Sequence, residues 1–270
     1  MPELPEVETT LRGIRPHLEG RRISQLHVFE SRLRWPIPAD LPAQIEAAVV
    51  ERLERRGKYL LFMTSRGTMI VHLGMSGSLR LEHPHTATRK HDHVQADLTP
   101  ELCLRFNDPR RFGAWLWTEN WRQHPLLRNL GPEPLGPDFS GSHLFSASRG
   151  RTTAVKNFIM DHHQVVGVGN IYAAEALFLA GIHPARAAGR ISRARYDILA
   201  DRIRTVLGNA IEMGGTTLRD FINTDGNPGY FKQSLRVYGR AGQACLTCAS
   251  TLKASRLGQR ATVYCTRCQR

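Results

Sequence analysis

Lysine, acidic residues, cysteine and long apolar runs are all scarce in this chain, and each shortage narrows what it can be. No apolar run approaches the ~20 residues that a membrane-spanning helix needs, and the N-terminus carries carboxylates in place of the apolar core of a secretory leader. A cytoplasmic protein is therefore expected. Cysteine is limited to Cys103 and two tight C-terminal pairs, which argues against a disulfide-rich secreted scaffold and suits thiolates kept reduced. Cys103, inside the strand-like Leu102-Cys103-Leu104-Arg105-Phe106, reads as a small buried side chain. Acidic residues number 24 against 37 basic ones, for a net charge of +13 and a pI near 10.2. A balance this one-sided points to a polyanionic partner. Of the basic residues 5 are lysine and 32 arginine, and the guanidinium group holds its charge at any relevant pH and forks onto phosphate.

What is present divides the chain in two. At 270 residues there is enough sequence for one large or two modest domains. Val7, Leu11, Ile14 and Leu18 recur at helical spacing, predicting an amphipathic helix from about Pro5 to Leu18. From about Ile23 to Trp117 the pattern becomes short apolar runs between turn residues, such as 58–63, 68–73 and 113–117, which suggests a β-sandwich or barrel. The Gly/Pro-rich stretch 130–137 reads as a linker. Beyond it the chain turns helical, with a short helix from Asn170, its expected cap, to Ala180, stopped by Gly181, and a longer one from Ser192 to Met213. A loop-rich segment, Thr224 to Tyr230, precedes the last cysteines. There is no internal repeat.

Cys245-x2-Cys248-x16-Cys265-x2-Cys268 has the spacing of a four-cysteine zinc site. All four positions would be filled by protein thiolates, so the metal is expected to be structural. The intervening residues read as two strands, around Thr251–Lys253 and Arg260–Tyr264, joined through Gly258, with Arg260 near the tip where it could meet a phosphate.

The first eight residues are Met1-Pro2-Glu3-Leu4-Pro5-Glu6-Val7-Glu8. Removal of Met1 would leave Pro2 with a secondary amine, and an α-amino group titrating near ~7.7–8 is partly neutral at pH 7 and can condense with an aldehyde carbon. Glu3 tethers a proton donor beside it. The same residues also make a good helix start, with Pro5 in the first turn and acidic side chains at the positive end. Two further turns place apolar side chains where exposure is expected: Met75 in Gly74-Met75-Ser76-Gly77, and Phe112 beside Arg110 and Arg111. Such side chains can wedge into a base stack or pack between domains. Val166-Gly167-Val168-Gly169-Asn170 opens a helix and could hold an anion, or could serve tight packing.

Taken in order, 1–8, His72-Leu73-Gly74-Met75-Ser76-Gly77, Asp108-Pro109-Arg110-Arg111-Phe112-Gly113, Gly167-Val168-Gly169-Asn170-Ile171-Tyr172 and the four-cysteine finger with Gln259-Arg260-Ala261-Thr262 resemble the bacterial formamidopyrimidine-DNA glycosylase family from end to end. The resemblance implies an α+β multidomain protein: an N-terminal β-sandwich with an N-terminal helix (1–130), a helix–two-turn–helix domain with a lesion-capping loop (131–235) and a zinc-finger β-hairpin (236–270). It implies damaged double-stranded DNA bound between the halves, excision of 8-oxoguanine and formamidopyrimidines, and lyase cutting of the strand by β,δ-elimination. The family's nucleophile falls on Pro2, its proton donor on Glu3, its β-elimination lysine on Lys58 and its finger arginine on Arg260. Met75, Arg110 and Phe112 match the gap-filling set. DNA-phosphate contacts are implied at Lys58, His91, Arg110, Arg151, Asn170 and Arg260, and a loop from about Thr216 to Tyr238 would cover the extruded base. Two positions depart from the usual pattern: Ala249 where a glycine often follows the second cysteine, and Arg151 where relatives also use lysine.

The residues support a mechanism in which Pro2 attacks the sugar C1′ while Glu3 aids ring opening, Glu6 orients the N-terminus, and Lys58 and Arg260 hold the leaving phosphates. A carboxyl at a helix N-terminus tends to be acidified, so Glu3 needs burial to serve as a donor. A monomer is expected, associated with the nucleoid through DNA. Two rivals are an endonuclease VIII-type glycosylase for oxidised pyrimidines, disfavoured by Leu4 and the intact wedge residues, and a non-catalytic zinc DNA-binding protein, disfavoured by the Pro2-Glu3 pair.

Overall fold

Helical spacing of Leu4, Val7, Leu11, Ile14 and Leu18 produces α1 (Leu4–Leu18), whose buried stripe packs on one edge of a β-sandwich. The computed structural model describes residues 2–214 and 235–270, which form two units divided between Arg128 and Asn129. In the first unit the remaining elements are β1 (Gln25–Val28), a short α2 (Leu41–Ile45), β2 (Val50–Arg56), β3 (Tyr59–Thr64), β4 (Gly67–His72), β5 (Ser78–Glu82), β6 (Asp92–Thr99), β7 (Leu102–Asn107) and β8 (Ala114–Thr118). They pair antiparallel into two four-stranded sheets, β1-β6-β7-β5 and β2-β3-β4-β8.

Alternation along the strands sends Phe62, Met69, Val71, Leu79, Val94, Leu104 and Phe106 into one core between the sheets. Trp115 on β8 is its largest member, with ring centroids 6.3 Å from Phe62 on the same sheet and 5.9 Å from Phe106 on the other. Truncating it to alanine would cost about 3–5 kcal/mol. Arg105 is also fully buried; its guanidinium donates to Gln95, Glu82 and the carbonyls of Pro84, Thr86 and Ala87. A buried arginine persists only when its donors are satisfied, and here satisfying them fixes the long β5–β6 connection.

The second unit contains α3 (Gly141–Ser148), α4 (Val155–Met160), α5 (Asn170–Leu179), α6 (Arg193–Glu212), β9 (Lys253–Leu257) and β10 (Arg260–Tyr264). Helix α5 is buried on all sides from Ile171 to Phe178, as befits a central helix. The stretch 130–137 is not a free linker. Gly131 N–H donates to His162 O at 2.8 Å and Val166 N–H to Pro132 O at 3.2 Å, so it belongs to the helical unit. The finger also belongs to this unit. Val237, Cys245, Leu252, Val263 and Cys265 share one apolar cluster with Ala174 and Phe178 of α5. The first finger strand lies at 253–257, two residues beyond the expected position, because register pairs Leu257 with Arg260 across a two-residue turn. Gly258 and Gln259 both take positive φ, 51° and 62°, the geometry of a tight hairpin turn. The Thr224–Tyr230 segment and most of the expected capping loop lie outside the described residues.

Candidate active site and nucleic-acid interface

Pro2 and Glu3 sit at the mouth of α1 and both are buried, Glu3 with 2% exposure. Glu3 is the N-cap, and it forms a reciprocal capping box with Glu6. The Glu3 N–H donates to Glu6 Oε2 at 2.8 Å, so Glu6, itself fully buried, fixes the backbone direction of the two residues before the helix. Lys58 lies in the two-residue turn between β2 and β3, where Gly57 adopts φ 58°. His72, at the end of β4, packs tilted by 48° against the Tyr59 ring at 4.8 Å and accepts the Gly74 N–H on Nδ1 at 3.0 Å. Burial, with help from the charges of Lys58 and Arg34, pushes its pKa down to about 4. The imidazole is therefore neutral at pH 7, and with Nδ1 accepting, its proton resides on Nε2 as a donor.

Met75, Arg110 and Phe112, the three residues expected to form a wedge, come together within the first unit. The turn holding Met75 and the loop holding Arg110 and Phe112 touch through their backbones: a Cβ on Gly74, which has φ 64°, would lie 2.4 Å from the Phe112 carbonyl carbon. The Arg110 guanidinium stands over the Phe112 ring at 5.1 Å, and Phe112 is 40% exposed. Met75 is half-buried rather than exposed. His91, half-buried with φ 73°, closes the β5–β6 connection and accepts the Asp108 N–H on its carbonyl at 3.0 Å.

In the second unit Asn170 is the first residue of α5 and not its cap; the N-cap is Gly169. The Asn170 Nδ2 donates instead to the Ala261 carbonyl at 3.2 Å, next to Arg260. Lys156 Nζ donates to the same carbonyl at 3.1 Å and to Thr262 Oγ1 at 2.8 Å. The finger hairpin is thus pinned at its tip to α4 and α5, and Arg260 is exposed there. Arg151, exposed after α3, donates Nε to the Ala147 carbonyl.

The four cysteines converge. Their sulfurs all lie within 4.8 Å of one another, with Cys248–Cys265 at 3.4 Å and Cys245–Cys268 at 3.9 Å. Disulfide bonds are about 2.05 Å, whereas Zn–S bonds of about 2.3 Å in a tetrahedron separate sulfurs by about 3.8 Å. The set fits one structural zinc ion. Ala249 adopts φ 59°, the reason a glycine suits that position.

Three buried polar residues escaped the sequence reading: Lys156, Asp108 and Glu175. Glu175 of α5 accepts the N–H groups of Arg236, Val237 and Tyr238 at 2.8–2.9 Å. A charged residue at a core position of an otherwise apolar helix is the signal that could have found Lys156 and Glu175. Among the described residues no helix is long and apolar enough to cross a membrane.

Family models for the formamidopyrimidine-DNA glycosylase N-terminal domain and H2TH domain match residues 1–115 and 130–222. A formamidopyrimidine-DNA glycosylase of Stutzerimonas stutzeri is 61% identical over 270 residues, covering 100% of both chains, and that of Methylococcus capsulatus is 60% identical with the same coverage. Among solved structures, the MutM (Fpg) protein of Thermus thermophilus superposes with a TM-score of 0.89 at 35% identity, covering 99% of this chain and 98% of that one. A Lactococcus lactis Fpg mutant in complex with Fapy-dG-containing DNA gives 0.91 at 30% identity, covering 100% of both.

Proposed function

The chain belongs to the formamidopyrimidine-DNA glycosylase family and is a DNA glycosylase of base excision repair; we propose that it excises oxidised purines, 8-oxoguanine and formamidopyrimidines, through a Schiff base at Pro2 and then cuts the strand by β,δ-elimination. The observation that carries this reading is the Pro2-Glu3 pair, buried at the start of α1 with its direction set by Glu6. In the proposed sequence, cationic side chains find the duplex non-specifically, and Met75, Arg110 and Phe112 fill the gap left by the extruded nucleotide, whose C1′ is otherwise out of reach. The Pro2 nitrogen, freed by loss of Met1, attacks C1′ as the base leaves, and Glu3 protonates the ring oxygen. The resulting iminium acidifies the C2′–H bond; its loss expels the 3′ phosphate, and a second elimination expels the 5′ phosphate.

Lys58 in the first unit and Arg260 in the second are assigned the leaving phosphates, with His91, Arg110, Arg151 and Asn170 as further backbone contacts. The proposal includes a three-domain organisation (1–130, 131–235, 236–270), a monomer, and a cytoplasmic site of action at the nucleoid. The zinc holds the finger in shape and takes no part in the chemistry.

The test is borohydride trapping on a duplex containing 8-oxoguanine opposite cytosine. Borohydride reduces an imine to a stable amine, so a covalent protein–DNA band mapping to Pro2 is expected. Glu3→Gln should lower excision by about 10²–10⁴-fold while leaving binding intact. Absence of a band with binding retained, or trapping on thymine glycol alone, would remove the purine Schiff-base mechanism.

A further inference from the structure

We infer that Asp108 is the positioning residue that makes the Met75 turn, the Arg110–Phe112 loop and His91 move as one body, an inference that rests on the wedge role proposed above. Asp108 is fully buried and follows β7, between the three segments. Its Oδ1 accepts the Ser76 hydroxyl at 2.7 Å and the Arg110 N–H at 3.3 Å; its Oδ2 accepts the Gly113 N–H at 2.8 Å. Its own N–H donates to the His91 carbonyl at 3.0 Å, while its carbonyl accepts the Arg111 N–H at 3.1 Å and faces His93 Nε2 at 2.8 Å. Ser76 also accepts the Arg110 N–H, at 3.2 Å. One residue thus ties the β4–β5 and β7–β8 connections, which both pass from one sheet to the other, to the β5–β6 connection.

These contacts are unlike an ordinary ion pair. Among the described residues no arginine or lysine side chain forms a salt bridge with Asp108, so a buried carboxyl is spent on hydroxyl and backbone donors alone. Leaving such donors unmatched costs more than the bonds gain on forming, and the segments they hold are otherwise turns without ladder hydrogen bonds. The fit leaves little room to adjust: a Cβ on Gly113 would sit 2.6 Å from the Phe106 ring and 2.8 Å from the His72 carbonyl. Arg111 takes φ 56° between Arg110 and Phe112, so the two wedge side chains are aimed by a left-handed turn that the Asp108 carbonyl closes. Inserting a side chain into a base stack meets resistance, and a wedge on a yielding loop would bend instead of prising. The Asp108 tie supplies stiffness at the base of all three segments.

Asp108→Asn keeps the shape and replaces one acceptor by a donor. With the amide NH2 at the Oδ1 position, Ser76 can turn its hydroxyl to accept, but the Arg110 N–H is opposed; at the Oδ2 position the Gly113 N–H is opposed. Ser76→Ala removes only the hydroxyl link and is the milder break. Single-turnover rates are measured on two duplexes, one with 8-oxoguanine opposite cytosine, which must be extruded, and one with a preformed abasic site, which has no stacked base. Displacements of ångström size at a positioned group cost up to about 100-fold; we expect excision of 8-oxoguanine to fall about tenfold or more in Asp108→Asn and about threefold in Ser76→Ala. Cutting at the abasic site should change by less than about twofold in both. The inference is overturned if both substrates slow equally or if neither slows, and Ser76→Ala decides alone should Asp108→Asn not fold. Wild-type protein inactive on both duplexes would instead overturn the proposed function, a different result.

Discussion

The sandwich and the zinc finger answer the same problem, an excess of arginine, in opposite ways. Residues 2–128 hold 19 basic and 15 acidic side chains, and many of the arginines are engaged by carboxylates. Arg12 and Arg55 share Glu8, Arg80 meets Asp92 and Glu82, Arg105 meets Glu82, and Arg111 meets Glu30. The described finger, 235–270, holds seven basic residues and no acidic side chain. Its arginines are either exposed or turned onto backbone carbonyls, as Arg240 is onto Arg236 and Ala244. The difference teaches where folding energy comes from. A sandwich with a large core can place its charges in pairs and keep its shape. A finger of seven cations, repelling one another, needs metal–thiolate bonds and a neighbour's apolar surface to stay folded, and its charge stays uncompensated within the finger.

Breaking the metal site should separate the two most widely. In Cys248→Ser, or after chelation, the finger loses a metal-linked folding energy with an apparent magnitude of about 10–16 kcal/mol. Hydrogen exchange should then find 235–270 unprotected and strands β1–β8 still protected, with DNA affinity lost. Loss of protection in β1–β8 as well would dissolve the distinction.

Acid should strike the other side. His72 binds its proton with a pKa of about 4 folded against about 6.5 unfolded. A depressed folded pKa means that its stabilising contribution is complete above about pH 6.5 and lost as pH falls through about 4, up to about 3 kcal/mol. Urea melts of the sandwich at pH 7 and pH 4.5 should reveal this fall, and His72→Gln should flatten its share of it. An equal pH slope in wild type and His72→Gln would contradict the assignment.

The smallest effect belongs to one backbone angle. Ala249→Gly relieves a left-handed residue and should stabilise the finger by about 0.5–1 kcal/mol, seen as slower zinc loss to a chelator with no change in the unfolding of the sandwich.

Local signals made much of this legible. Helix α1, the strand character of 59–64, 67–72 and 114–118, the burial of Cys103, the finger ligands and the position of Arg260 at the hairpin tip all follow from spacing between near neighbours. What was not legible depends on distant partners. Asn170 has the composition of a cap, yet its amide is drawn away by a carbonyl 91 positions along the chain. Lys156 reads as a solvated lysine until Thr262 and Ala261 arrive to satisfy it. The 130–137 stretch has linker composition, and distant partners such as the His162 carbonyl and the Val166 N–H give it a fixed place. Asp108 falls inside a recognisable motif, but nothing near it in sequence announces Ser76 as a partner.

The apolar cluster that α5 shares with the finger has a consequence for the cell's metal supply. Because Phe178 and Ala174 pack on the same surface as Cys245 and Cys265, and Asn170 at the other end of α5 reaches the hairpin directly, loss of the ion strips an internal helix of one of its walls. The finger therefore cannot be traded between proteins as a cassette. Zinc scarcity would act as a throttle on the grip upon DNA, reversible on resupply.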